Sequence, residues 1–216
     1  MKKNNASVFL IVAVCGGMLF AGCAKKEIKN TDSQGKIIIC FGDSITFGYG
    51  AQPGEDYPAA LRKLTKIPVI NSGIDGDTTI EALKRLKSDI LDRNPRLVLI
   101  EFCGNDFLRK TPLEVTVKNI GEMIDRIHEK GAMVALVDIS AGMFLREYRI
   151  AFAKLANEKQ VIFIAQVLNK IVTNPSMKSD FLHPNGKGYA EIATRIYQAI
   201  QPYLKEDLSV DKSSPN

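Results

Sequence analysis

Tryptophan is absent from the 216 residues, and histidine occurs only twice, as His128 and His183. So few imidazoles exclude a His-rich metal centre and leave little choice of general base. Cysteine is equally sparse: Cys15, Cys23, Cys40 and Cys103, with no CxxC pair. That is too few for a disulfide-stapled scaffold and lacks the spacing of zinc ligands, so no metal and no cofactor is expected. There is no internal repeat, low-complexity tract or glycine period, which excludes solenoids, collagen-like chains and largely disordered ones. Charge of one sign does not accumulate. The net charge is only +5 and the Lys and Arg are scattered, so no basic face for nucleic acid is expected. What remains is 45% hydrophobic and 25% charged, an ordinary globular balance at a length of about one domain.

The longest apolar run is Val8 to Gly22, without a charge, after the basic start Met1-Lys2-Lys3. As a helix it would be roughly 22 Å long, short of a ~30 Å hydrocarbon core. Residues 1–22 therefore read as a secretory signal peptide. They end Ala21-Gly22 before Cys23, which resembles a bacterial lipobox. That resemblance implies cleavage before Cys23, lipidation of Cys23 and a membrane anchor in the bacterial cell envelope, facing the periplasm or exterior. The alternative is an uncleaved N-terminal anchor. Residues 23–35 read as the lipidated Cys and a polar tether. Residues 206–216 read as a disordered tail. Cys40 and Cys103 lie in apolar runs and are expected as buried free thiols.

From Lys36 onward, short β-branched runs alternate with helical patterns. Strands are expected at 36–42, 67–71, 96–103, 132–139 and 161–165. Helices are expected at 57–66, 78–94, 112–130, 146–159 and 185–204, with Gly131 as a helix stop. This rhythm predicts an α/β fold, a three-layer α/β/α sandwich around a flavodoxin-like parallel sheet of five strands in the order 2-1-3-4-5. Nothing in the sequence signals assembly, so a monomer is expected. In such sheets ligands bind beyond the carboxyl ends of the strands.

Polar, glycine-rich segments fall at just those ends. Gly42-Asp43-Ser44 follows the first strand, where a tight turn exposes a Ser hydroxyl and its backbone N–H. Gly76, after the second, offers a bare N–H, and Gly104-Asn105-Asp106, after the third, offers a side-chain amide. Asp180 and His183 stand three residues apart before the last helix. An Asp at that distance can accept from imidazole Nδ1–H and leave Nε2 free to take a hydroxyl proton. His128, near the end of a long amphipathic helix, reads as a solvent-side residue favoured by the helix dipole.

Four blocks in this order resemble the SGNH (GDSL) hydrolase family over roughly residues 36–205. The stretches 104–109 and 183–189 are most similar to its bacterial acyl-CoA thioesterase, lysophospholipase and arylesterase group. The resemblance implies a serine esterase in which Ser44 is the nucleophile, His183 its base and Asp180 the group that fixes the imidazole. It also implies an oxyanion hole of the Ser44 and Gly76 amides with the Asn105 side chain. One departure stands out: Cys103 occupies the usual first Gly of Gly-x-Asn-Asp, which predicts crowding near Asn105 or a reactive thiol beside the site.

Ile45, Phe107 and Leu108 flank the blocks and are expected to bind substrate, a small acyl ester or lysophospholipid. Met143, Phe144 and Leu145 offer another wall. Within the same fold a carbohydrate O-acetyl esterase is the alternative. In another class, a non-catalytic phosphate-binding module is the rival, with residues 42–50 as its cradle.

Overall fold

The computed structural model describes residues 27–204. The expected signal peptide 1–22, the lipidation position Cys23 and the tail 206–216 lie outside those residues. Five parallel strands form one sheet: β1 Ile38–Gly42, β2 Val69–Gly73, β3 Leu97–Glu101, β4 Met133–Val137 and β5 Ile162–Ile164, in the order β2-β1-β3-β4-β5. Every residue of β1, β3 and β4 is buried, as their continuous apolar runs require of a sheet covered on both faces. β2 lies two residues later than the sequence pattern places it. Pro68 has no N–H for the ladder, and its carbonyl accepts from Ile38 N–H at 2.9 Å, so pairing starts at Val69.

Right-handed crossovers dictate the layers. The chain steps from β1 to β2 in one direction, then reverses and walks from β3 to β5. Helices α2 (Tyr57–Thr65) and α7 (Gly186–Ile200) accordingly pack together on one face. Helices α3 (Thr79–Asp89), α5 (Leu113–His128) and α6 (Arg146–Lys159) pack together on the other. Two short helices, α1 (Ser44–Phe47) and α4 (Gly104–Leu108), sit at the carboxyl ends of β1 and β3. The reversal between β1 and β3 is the crevice-forming point of such sheets.

Two helices are shorter than their hydrophobic pattern. Past Asp89 the chain tightens into a 3-10 turn at Leu91–Arg93, and past Ile200 into another at Gln201–Tyr203, which contains Pro202. Part of the expected tether is docked. Lys29 N–H donates to Gln160 O at 3.0 Å, and the Asn30 amide donates to His128 O and Ala132 O. These contacts lie just before β4 and β5, at the amino ends of the strands. Among the described residues no helix is long and apolar enough to cross a membrane.

His128 is not the charged, solvent-side residue expected from the helix dipole. Both ring nitrogens are buried without a hydrogen-bond partner among the described residues. Burial first, then the neighbouring Lys29, pushes its pKa down to about 4, with Asp125 opposing and Lys159 adding to the fall. The folded protein keeps His128 neutral, whereas the unfolded chain takes up a proton below about 6.5. Stability is therefore lost as pH falls from about 6.5 towards 4. In His128→Leu the loss of Tm between pH 7 and pH 5 should shrink by a few degrees; an unchanged pH slope would count against this account.

Candidate active site

The site is built from four loops at the carboxyl ends of the sheet. Gly42 ends β1 where no side chain fits: a Cβ there would stand 2.0 Å from Thr46 Oγ1 and 2.7 Å from Glu101 Oε2. Asp43 then caps α1, its side chain accepting from Ile45 N–H at 3.2 Å. Ser44 is the first residue of that helical turn and is half-buried. Its backbone N–H makes no hydrogen bond within the described residues. Gly48, at φ 92°, closes the turn in the left-handed region.

The fourth loop brings His183 over this turn. His183 Nε2 lies 3.1 Å from Ser44 Oγ, and Nδ1 lies 2.8 Å from Asp180 Oδ2. The other Asp180 oxygen accepts from the N–H groups of Leu182 at 2.7 Å and His183 at 2.8 Å. Partial desolvation opposes ionisation of Asp180, but the bonds from the His183 ring and these two amides outweigh it and hold the carboxyl below its usual range. An ionised Asp180 can only accept, so it requires the proton on Nδ1 and leaves the Nε2 lone pair towards Ser44. The loop is braced. Ser179 N–H bonds His183 O, Asn185 caps α7, and the Tyr189 hydroxyl donates to Tyr49 O at 2.8 Å. The Tyr49 ring stands 4.5 Å from the His183 ring.

Gly76 adopts φ +79°, its carbonyl accepts from Arg109 Nη2 at 2.7 Å, and its N–H makes no hydrogen bond among the described residues. Asn105, in α4, donates from Nδ2 to Asp43 Oδ2 at 3.2 Å. A carboxylate facing the amide fixes which end is nitrogen, and the second amide hydrogen stays available. Behind α4, buried Asp106 accepts from Thr79 N–H at 3.0 Å and from the Thr116 hydroxyl at 3.0 Å, tying α4 to α3 and α5. The Ser44 hydroxyl, the Ser44 and Gly76 N–H groups and the Asn105 amide thus stand in the loops after β1, β2 and β3 as unengaged or half-engaged groups among the described residues.

Some expected features are corrected. Ile45 is only 5% exposed and belongs to the core, so it lines no groove. Cys103, like Cys40, is a buried free thiol, and burial pushes its pKa well up, with the Glu101 and Asp43 carboxyls adding to the shift. It is not a reactive nucleophile. Nor does it disrupt the turn: its carbonyl accepts from Phe107 N–H at 2.9 Å and begins α4. Phe107 and Leu108 are where a substrate could meet them, 46% and 61% exposed. Phe107 makes edge-to-face contacts with Phe144 at 5.8 Å and Tyr148 at 6.3 Å, forming an aromatic ledge beside Asn105.

Three residues were not singled out from the sequence. Arg85 bridges Asp77 at 2.7 Å and reaches the Gly42 carbonyl at 3.2 Å, fastening the ends of β1 and β2 to α3. Arg109 orients the Gly76 peptide. Glu101 ends β3 fully buried. Only Glu101 carried a signal, as the single charge within an apolar strand.

A family model described as the GDSL-like Lipase/Acylhydrolase family matches residues 40–191. An arylesterase of Vibrio mimicus is 33% identical over 178 residues, covering 77% of this chain and 89% of its own. Thioesterase 1/protease 1/lysophospholipase L1 of Escherichia coli K12 is 29% identical over 178 residues, covering 79% and 86%. The crystal structure of the psychrotrophic esterase EstA from Pseudoalteromonas sp., inhibited by monoethylphosphonate, superposes with a TM-score of 0.71 at 26% identity, covering 78% of this chain and 98% of its own. With a serine turn, an Asp-paired imidazole and open amide donors meeting at the sheet's crevice, this chain is a serine ester hydrolase that belongs to the GDSL-like lipase/acylhydrolase family.

Proposed function

We propose that Ser44, His183 and Asp180 hydrolyse acyl esters through an acyl-enzyme. The observation that carries this reading is the 3.1 Å approach of His183 Nε2 to Ser44 Oγ while Asp180 holds Nδ1. His183 takes the Ser44 proton as Oγ adds to the ester carbonyl. The resulting oxyanion meets the N–H groups of Ser44 and Gly76 and the Asn105 amide. His183 then passes its proton to the leaving oxygen, and water, activated by the same imidazole, releases the acid.

The substrate reading is a small acyl ester or lysophospholipid. It is supported by the exposed apolar ledge of Phe107, Leu108 and Phe144, which suits a hydrocarbon tail better than an acetylated sugar. The relatives named as arylesterase and lysophospholipase agree with it. The proposal further places the enzyme at the bacterial cell envelope, with residues 1–22 removed and Cys23 lipidated. A fluorophosphonate should add to Ser44 in the intact protein, and p-nitrophenyl esters from acetate to palmitate should be cleaved fastest beyond acetate. No adduct at Ser44 sinks the mechanism, and a sharp acetate preference sinks the substrate class.

A further inference from the structure

Two carboxyl side chains are buried against each other beneath the nucleophile turn. Glu101 is 0% exposed and Asp43 2%. Glu101 Oε2 accepts twice from Thr46, from its N–H at 3.2 Å and from its hydroxyl at 2.8 Å. The Thr46 hydroxyl in turn pairs with Tyr57 OH at 2.9 Å. Glu101 Oε1 is buried and makes no hydrogen bond of good geometry within the described residues. The two acids cap adjacent N–H groups of α1, Asp43 accepting from Ile45 and Glu101 from Thr46, so as anions they would repel.

Two buried carboxylates side by side cannot both ionise. Burial raises both pKa values, and the charge of Asp43 raises Glu101 further. Thr46 donates twice to Glu101 Oε2, which leaves Oε1 as the open position for a proton, whereas Asp43 accepts from the Ile45 N–H and the Asn105 amide, which favour its anion.

We propose that Glu101 is a positioning residue for ester hydrolysis: as a neutral acid it donates a proton to Asp43, and Asp43 holds the Asn105 amide towards the oxyanion. This rests on Asn105 being an oxyanion donor. The array runs from Tyr57 through Thr46, Glu101 and Asp43 to Asn105, crossing from α2 to α4 under Ser44. Loss of the shared proton would set two anions against each other and loosen Asn105.

The other ionisable groups around the pair are Asp106 from α4, Asp138 beyond β4, Cys40 of β1, Cys103 before α4, Tyr57 from α2 and Tyr189 from α7, with Arg85 at the Gly42 carbonyl. Burial pushes both thiols and both phenols upward, so they stay neutral through the range tested.

The test compares Glu101→Gln and Glu101→Leu in the full chain, using p-nitrophenyl butyrate. Gln keeps a donor towards Asp43 and an acceptor for Thr46, so kcat near pH 7 should stay within a few-fold. Having no proton to lose, it should extend activity further into alkaline pH than the wild type. Leu should lower kcat by about tenfold or more with little change in KM, less than the roughly 10²–10³-fold cost of removing an oxyanion donor outright. In an Asn105→Ala background the same Leu change should cost little more, because the group it positions is gone. An unshifted alkaline limb in Glu101→Gln, or full additivity of the double variant, overturns the proposal. Should Glu101→Leu not fold, the Gln pH profile decides alone. If Asn105→Ala itself keeps its kcat, the oxyanion reading has failed first.

Discussion

Ser44→Ala should lose about 10⁶ of kcat, the size of loss seen when a triad nucleophile is removed. The change deletes the only atom that can carry the acyl group and leaves the amide donors in place. A small residual rate over water should therefore survive, from oriented binding and oxyanion stabilisation. The fold should not suffer. Among the described residues the Ser44 hydroxyl bonds only His183 Nε2, and the cap of α1 is Asp43, which remains. Steady-state kinetics on p-nitrophenyl butyrate, with a thermal melt of the same sample, checks both halves. Near-normal turnover by a folded Ser44→Ala protein would remove Ser44 from the chemistry.

Asn105→Ala is expected to cost about 10²–10³ in kcat while KM changes little, because the amide acts on charge that develops only in the transition state. Asn105→Asp should be at least as damaging. It would set a carboxylate against Asp43 Oδ2, now 3.2 Å from the Asn105 nitrogen, and a third acid beside Glu101. A rise in KM with kcat preserved would mean that Asn105 binds the ground state and contributes nothing specific to the oxyanion.

Much of this architecture is legible in the sequence. The strand order follows from apolar β-branched runs alternating with 3.6-period helices, because crossover handedness leaves few other arrangements. With His128 inside a long helix, the position of His183 before the last helix left one base to pair with Ser44. Buried polar networks were less legible. Asp43 and Asp106 are visible as motif residues, but Glu101, Thr79 and Thr116, which surround them, come from β3, α3 and α5. Period and spacing do not report which side chains share a buried space. Ile45 misled for a related reason. It follows Ser44 directly, yet the tight turn of α1 directs it into the core while Ser44 stays at the surface. His128 misled because helix position predicts charge only when the ring keeps its water.

The seating of Lys29 and Asn30 at the amino ends of the strands gives the molecule a polarity. The reaction opens at the carboxyl ends, a strand length away, and five residues of strand already span about 17 Å. Three residues separate Cys23 from Glu27, and the four steps between them reach at most about 14 Å. A lipid on Cys23, a bead or a fusion partner would therefore grip the enzyme by its base and turn the mouth outward. Held in that way, the enzyme would draw its esters from the space in front of the surface that carries it.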